Sequence, residues 1–189
     1  MAENYLLDTN AYFNLLKLAY QFKDDDSSCP ESVKKLKSNN LYVSTVTKVE
    51  IISVLGKYAR GVNGGYNKCN CIISSDGKIC ENQKYTYPRK KWSNKKIKLW
   101  LQLIDETITG RSTLARLDLL PFSEKTIEEA RRIILHALTF SFGSMDAIIA
   151  ATAKESISNQ KDMIVVTSDK SLKACLAKCG LPFWDAFES

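Results

Sequence analysis

The sequence predicts an α/β protein of three layers, in which helices cover both faces of a central, mostly parallel sheet of about five strands. Short apolar runs, typical of buried parallel strands, alternate along the chain with segments whose apolar residues recur at helical spacing. Strands that are separated by helices favour parallel pairing. The 189 residues, of which 44% are hydrophobic, are enough for one core, so we expect a single domain over residues 1–189.

The first third of the chain contains two strands, each followed by a helix. Asn4–Leu7 is an apolar run that stops at Asp8, and apolar residues then recur at helical spacing from Ala11 to Phe22. Hydroxyl side chains at 44, 45 and 47 offer N-caps to a later helix. The predicted elements are a strand at 4–7, a helix at 11–22, a short helix at 31–38, a strand at 41–43 and a helix from about 45 to 61.

Residues 62–94 interrupt this alternation. Gly64 and Gly65 precede two β-prone runs, 69–73 and 78–87, which flank the turn-forming residues 74–77. The pattern predicts a β-hairpin that is inserted into the α/β domain.

Regular alternation returns after the insertion. The predicted elements are a helix from about 95 to 108, a strand at 115–120, a helix at 123–140, a helix from near 144, a strand at 163–167, a helix at 170–178 and a last strand at 181–184. The strand at 163–167 ends shortly before Asp169, much as the first strand ends at Asp8.

Composition excludes several classes of protein. No apolar run approaches the ~20 residues that a membrane span needs, and the start MAENYLLDTN lacks the regions of a signal peptide, so we expect a cytoplasmic protein. His136 is the only histidine, which excludes mechanisms that need two. The six cysteines are expected to be free thiols; a zinc site formed by Cys69, Cys71 and Cys80 with Cys29 is the weaker alternative.

Four acidic residues lie where a parallel sheet places its active site. Asp8 follows the first strand, Asp169 follows the strand at 163–167, and Asp146 opens a helix. Glu50 lies about one turn into the helix after the second strand. Because parallel strands end at one edge of the sheet, we expect the four side chains to converge there. Such a cluster would bind a hard cation such as Mg²⁺ or Mn²⁺, which prefers oxygen ligands.

Each acid also has a structural interpretation. Asp8 and Asp169 could cap the helices that follow them, and Asp146 could complement a helix dipole. Thr47 and Glu50 match a capping box, in which the Glu50 side chain returns to the Thr47 amide. If there were no metal site, all four acids would need purely structural roles at the same time. We therefore favour the metal site.

The same residues resemble a known family. Leu6–Asn10 (LLDTN), VSTVTKVEIISVL at 43–55, SMDAIIAATA at 144–153 and VVTSD at 165–169 are similar, in this order, to the four motifs of PIN-domain nucleases. They are especially similar to the toxin ribonucleases of VapBC-type toxin-antitoxin pairs. The resemblance covers residues 3–60 and 114–185, lapses in the insertion, and implies a PIN-like three-layer fold.

The resemblance also implies a function, that of a metal-dependent endoribonuclease. The family's catalytic, metal-binding acids map onto Asp8, Glu50, Asp146 and Asp169, and its supporting polar residues map onto Asn10 and Thr167. One or two Mg²⁺ or Mn²⁺ ions held there would activate a water and stabilise the leaving oxygen. We expect Asp8 and Asp146 to hold the central ion, Asp169 to take a shared or water-bridged position, and Glu50 to orient or deprotonate the water. Expected partners are RNA, a cognate antitoxin protein and a second copy of the chain, with no membrane.

The positive charge of the chain is concentrated in one strip. The net charge is +6, but residues 84–98 hold seven Lys and Arg and no acid, so the rest of the chain carries −1. Tyr85, Tyr87 and Trp92 alternate with these cations, a mixture that can contact phosphates and stack unpaired bases. The RNA-binding residues predicted from the strip are Arg89, Lys90, Lys91, Lys95 and Lys96. The alternative is a solvated lysine-rich face.

Two classes of function remain after this reasoning. The first is the ribonuclease, and the second is a non-catalytic PIN-like module that binds RNA or a protein. A phosphatase of the haloacid dehalogenase type also begins with a strand and an Asp, but it requires a second Asp where this chain has Asn10.

Overall fold

Five parallel strands form the central sheet of the protein. The computed structural model describes residues 2–25, 27–68 and 83–187. In chain order the strands are β1 (Asn4–Leu7), β2 (Asn40–Ser44), β3 (Gly65–Lys68), β4 (Gln83–Thr86), β5 (Asp118–Leu120), β6 (Ile164–Val166) and β7 (Phe183–Trp184). The sheet has the order β5-β2-β1-β6-β7, and all neighbouring strands in it are parallel. The predicted three-layer α/β fold is therefore confirmed.

Helices cover the two faces of this sheet. They are α1 (Thr9–Gln21), α2 (Glu31–Lys37), α3 (Thr45–Ala59), α4 (Asn94–Ile108), α5 (Glu124–Ile133), α6 (Ala137–Phe140), α7 (Ser144–Ser158) and α8 (Lys170–Lys178). Successive residues of a strand point to opposite faces. Accordingly Tyr5 and Leu7 pack against α1 to α4, whereas Leu6 packs against α5, α7 and α8. No helix in the described ranges has the length and apolar character needed to cross a membrane.

The helix predicted at 123–140 is broken in the structure. The chain leaves α5 at Ile133, forms a 3-10 turn at Ile134–His136, and ends α6 at Ser141, whose φ of 56° is left-handed. Leu138 is 91% exposed, whereas Phe142 is buried. The helical spacing of the apolar residues predicted one continuous helix. In the structure Phe142 is part of the hydrophobic core, and the turn at Ser141 precedes it.

The insertion contains an antiparallel hairpin, as predicted, with different strand limits. Strand β3 pairs with β4 from Gly65 opposite Thr86 to Lys68 opposite Gln83. The predicted run 69–73 and the turn at 74–77 lie outside the described residues, as do Cys69, Cys71 and Cys80. Cys175 and Cys179 are free thiols.

Backbone hydrogen bonds hold both ends of the insertion close to the C-terminal end of α3. Val62 and Arg89 exchange two backbone hydrogen bonds of 2.9 Å, and the Trp92 amide donates to the Ala59 carbonyl at 2.9 Å. Gly61 has a φ of +70°, and a Cβ there would lie 2.5 Å from the Arg89 carbonyl oxygen. Only glycine fits this close approach. We refer to residues 59–62 and 88–92 as the junction.

Candidate active site

Asp8 and Asp169 each cap a helix at the carboxyl edge of the sheet. Asp8 follows β1 directly, and its carboxylate accepts a hydrogen bond of 2.5 Å from the Ala11 amide at the start of α1. Asp169 precedes α8 and accepts from the Leu172 amide at 2.8 Å. The capping interpretation of both residues is thus confirmed. A carboxylate has a second oxygen, however, so a cap does not exclude another role.

Asp8 is the most deeply buried of the four acids, with 3% of its surface exposed. Burial raises its pKa to about 6, although hydrogen bonds from the Thr167 hydroxyl and the Ala11 amide lower it. The charges of Asp146 and Asp169 raise the pKa of Asp8 further. The structure therefore brings these three carboxylates close enough to repel one another.

Asp146 connects this group to Glu50. It lies in the first turn of α7, where its carboxylate accepts from the Gly143 amide at 3.0 Å. Burial raises the pKa of Asp146, the Gly143 hydrogen bond lowers it, and the charges of Asp169 and Glu50 raise it. Each of the four acids predicted from the sequence is thus close enough to at least one of the others to affect its charge.

Glu50 does not form the predicted capping box. The N-cap of α3 is Ser44, because β2 runs on to that residue, and Thr47 therefore lies inside the helix. The Thr47 hydroxyl is buried and has no hydrogen-bond partner among the described residues. Glu50 instead accepts a hydrogen bond from the hydroxyl of Thr9 in α1. Thr9 is a residue of the site that the sequence reasoning missed; its only signal is its place beside Asp8.

The two predicted supporting residues behave differently. Thr167 is fully buried, its hydroxyl lowers the pKa of Asp8, and it accepts a hydrogen bond from the Asp169 amide at 3.0 Å. It therefore ties the end of β6 to two of the acids. Asn10 is exposed, and its side chain makes no hydrogen bond to a described residue.

The donor atoms of this site suit a hard divalent cation. Each acid engages at least one carboxylate oxygen locally, and the remaining oxygens are the ligands that Mg²⁺ and Mn²⁺ prefer. None of the four acids forms a salt bridge with a described Lys or Arg. Within the described ranges no three His, Cys, Asp or Glu side chains already lie in ligand positions around one point. The residues therefore fit a cation by chemistry and charge, and their side chains would have to turn toward it.

A second group of polar side chains supports the loop that carries Asp169. The Ser168 hydroxyl donates to Asp185 at 2.6 Å, and the Lys173 ammonium contacts the other Asp185 oxygen at 2.7 Å. Burial raises the pKa of Asp185, but Lys173 and Ser168 outweigh burial and hold it below its usual value. This contact joins the C-terminal segment to the loop after β6, and the sequence pattern gave no sign of it.

The raised pKa of Asp8 predicts a pH-dependent stability difference. Asp8→Asn keeps a capping oxygen but removes a charge whose burial is unfavourable. Between pH 3.8 and about 6 the Asp8 carboxyl keeps its proton in the native protein but has lost it in the unfolded protein. The free energy of unfolding of wild type therefore falls relative to that of the variant as the pH rises through this window. We expect the variant to gain up to about 3 kcal/mol relative to wild type between pH 4 and pH 7. Denaturant unfolding in EDTA measures this; a constant difference would contradict it.

The five predicted RNA-binding residues are exposed and lie at the junction and the start of α4. The Arg89 guanidinium lies 4.8 Å from the centre of the Tyr58 ring, and the Lys96 ammonium 4.2 Å from that of Trp92. Tyr58 belongs to the last turn of α3, whereas Glu50 lies in the second turn. The basic residues are therefore separate from the acids.

The chain is similar to known proteins in sequence and in fold. The PIN domain family matches residues 5–175. A similar solved structure is FitAcB from Neisseria gonorrhoeae, with a TM-score of 0.53, 18% identity, and coverage of 98% of this chain and 99% of that chain. Another is VapBC2 from Rickettsia felis bound to a DNA fragment from their promoter, with a TM-score of 0.49, 15% identity, and coverage of 96% and 97%. A search of curated proteins found no match.

At these identities the solved structures show the fold alone, and the first of them agrees with the parallel sheet described above. The family match spans most of the chain and includes Asp8, Glu50, Asp146 and Asp169. The protein therefore belongs to the PIN domain family.

Proposed function

We propose that the protein is a metal-dependent endoribonuclease that hydrolyses RNA phosphodiester bonds at Asp8, Glu50, Asp146 and Asp169. The observation that carries this proposal is the meeting of four carboxylates without a basic partner among the described residues. The local hydrogen bonds of these acids do not remove the repulsion between them or the cost of burying the charge of Asp8, whereas a bound cation would offset both. PIN-domain proteins are generally metal-dependent nucleases, which agrees with this assignment.

The four acids divide into two roles in this proposal. Asp8 and Asp146 would hold the central Mg²⁺ or Mn²⁺, with Asp169 in a shared or water-bridged position. The ion, when bound, polarises the phosphate and increases the acidity of water. Glu50, held in place by the Thr9 hydroxyl, orients the attacking water and accepts its proton. The water oxygen bonds to phosphorus, one P–O bond breaks, and the leaving oxygen takes up a proton.

The test combines calorimetric titration of the protein with Mn²⁺ and a cleavage assay on RNA with and without EDTA. Saturable Mn²⁺ binding together with cleavage that EDTA stops supports the proposal. Metal binding without cleavage of any RNA would favour the alternative, a non-catalytic module that binds RNA or a protein.

Exposed apolar side chains beside the acids support a protein partner, and we propose a cognate antitoxin. Val49 and Ile52, close to Glu50 in the sequence of α3, are 70% and 48% exposed, and Met145, next to Asp146 in the sequence of α7, is 39% exposed. Large apolar side chains that are exposed on the same helix, as Val49 and Ile52 are, are typical of a surface that another protein covers. An upstream reading frame that encodes a small DNA-binding protein would support a toxin-antitoxin pair. We further propose a cytoplasmic single domain with its insertion at 62–94, able to form a homodimer.

The basic strip predicts salt-dependent RNA binding. Replacing its five predicted RNA-binding residues by Ala should weaken binding and reduce the slope of log affinity against log salt by about 0.7 for each lost phosphate contact. Cleavage at saturating RNA should change little, because these residues lie apart from the acids. The matched control replaces Lys125 and Lys178, two exposed lysines of the opposite layer, and should leave the slope unchanged. An unchanged slope in the strip variant would show that the strip is a solvated face.

A further inference from the structure

A groove of about 510 Å³ lies where the junction meets α1, α3 and α4. Its floor consists of four aromatic side chains, Phe13, Tyr58, Trp92 and Trp100. Its rim carries five cations, Lys17, Arg89, Lys90, Lys91 and Lys96, and none of its described lining residues is acidic. We call this feature the aromatic groove.

The four rings form a continuous packed floor. The ring centres are 4.6 Å apart for Phe13 and Tyr58, 5.3 Å for Phe13 and Trp100, and 5.7 Å for Trp92 and Trp100. Phe13 and Trp100 are buried, but Tyr58 and Trp92 are only half-buried and retain exposed surface. The two outer rings are therefore available to a ligand, and each also contacts a cation. Aromatic and guanidinium planes together form a surface on which an unpaired base can stack.

The described part of the chain provides no acidic partner for the positive charge around the aromatic groove. An adjoining groove of about 600 Å³ shares Arg89, Lys90 and Lys91 and adds Arg60, again without an acidic residue. None of these cations, nor Lys17 or Lys96, forms a salt bridge with a described residue. Lys17 and Arg60 come from outside the insertion, so folding enlarges the basic strip. A surface of this kind attracts a polyanion.

The junction holds these side chains in place. The paired backbone of Val62 and Arg89, the hydrogen bond from Trp92 to Ala59 and the close approach at Gly61 all fix residues 88–92 against the end of α3. The cations are thus borne by ordered backbone, which reduces the entropy lost when they bind a ligand.

The aromatic groove and the acids lie along the same pair of helices. Glu50 contacts Thr9 of α1, and Tyr58 contacts Phe13 of α1, so both residues lie on the side of α3 that faces α1. Eight residues separate Glu50 from Tyr58, which corresponds to about 12 Å along the helix axis. One extended strand of nucleic acid can span this distance.

We propose that the aromatic groove binds an unpaired nucleotide of the RNA, outside the metal site and near the phosphate that is cleaved. The inference rests on the proposed function for the cleavage step, but binding in the groove needs neither metal nor catalysis. A base within a duplex is already stacked and cannot lie on the ring floor, so duplex RNA would contact only the cations.

The experiment measures tryptophan fluorescence and affinity in EDTA with three probes of about ten nucleotides: single-stranded RNA, the same sequence as a duplex, and an abasic ribose-phosphate chain. Single-stranded RNA should quench the fluorescence and bind best. Trp92→Leu should weaken that binding about tenfold or more, but leave binding of the abasic chain unchanged. Trp92→Phe, which keeps a ring and fills the floor, should restore most of the affinity. Trp184→Phe, on the far edge strand, is the control and should retain the quenching.

Equal loss of affinity by Trp92→Leu for the abasic chain and the base-containing RNA would overturn the inference. Absence of binding to all three probes would also overturn it and would leave the groove as a docking site for a protein. Cleavage assays with Mn²⁺ separate this result from the proposed function. If the Trp92→Leu variant cleaves RNA at the wild-type rate, the proposed function holds and the groove is not needed for it. If RNA quenches the fluorescence of the wild-type protein but is never cleaved, the groove binds RNA and the proposed function is wrong.

Discussion

Asp146→Asn and Asp8→Asn are each expected to abolish metal-dependent cleavage of RNA while leaving the fold intact. Asn keeps an oxygen that can accept the amide hydrogen bond of Gly143 or Ala11, so the helix starts are preserved. The charge that attracts the cation is lost. We expect cleavage to fall by two orders of magnitude or more, with Mn²⁺ affinity reduced in parallel.

The matched control is Asp118→Asn, which neutralises an exposed acid on β5, outside the cluster. It should leave both Mn²⁺ binding and cleavage unchanged. Turnover at the wild-type rate in saturating Mg²⁺ by either site variant would remove that residue from the set of metal ligands. Far-UV circular dichroism and unfolding curves confirm that any loss of activity comes from the site.

Glu50→Gln is expected to reduce cleavage by about 10²- to 10⁴-fold, the usual contribution of a general base. Gln can still accept the hydrogen bond from Thr9, so the contact between α1 and α3 remains, but it cannot take a proton from water. RNA affinity and the free energy of unfolding should stay close to wild type. Single-turnover cleavage and denaturant unfolding measure the two effects separately.

The chain contains a matched pair for this experiment. Glu155 on α7 also accepts a hydrogen bond from a buried threonine, Thr126, and it lies outside the acidic cluster. Glu155→Gln reproduces the chemical change without affecting the proposed site, and its cleavage rate should equal that of wild type. Full activity in Glu50→Gln would show that the Thr9 contact is only structural.

The positions of Asp8 and Asp169 could be predicted because they follow from where strands end. Asp8 comes directly after an apolar run, and a parallel sheet leaves such a residue at its carboxyl edge. The alternative interpretation of Glu50, a capping box with Thr47, was wrong because it depended on where β2 ends, and helix starts are the least certain feature of a pattern. Thr9, Lys17 and Arg60 could not be assigned, since their neighbours are set by helix packing and not by spacing along the chain.

The hydrogen bond between Trp92 and Ala59 has a topological consequence. The chain leaves α3 and returns to it at neighbouring points, so residues 60–91 form an excursion whose two ends almost meet. The length or sequence of such an excursion can change at little entropic cost, because the distance between its two ends stays the same. The excursion can therefore change in length or sequence without moving the ends of α3 and α4 that hold it.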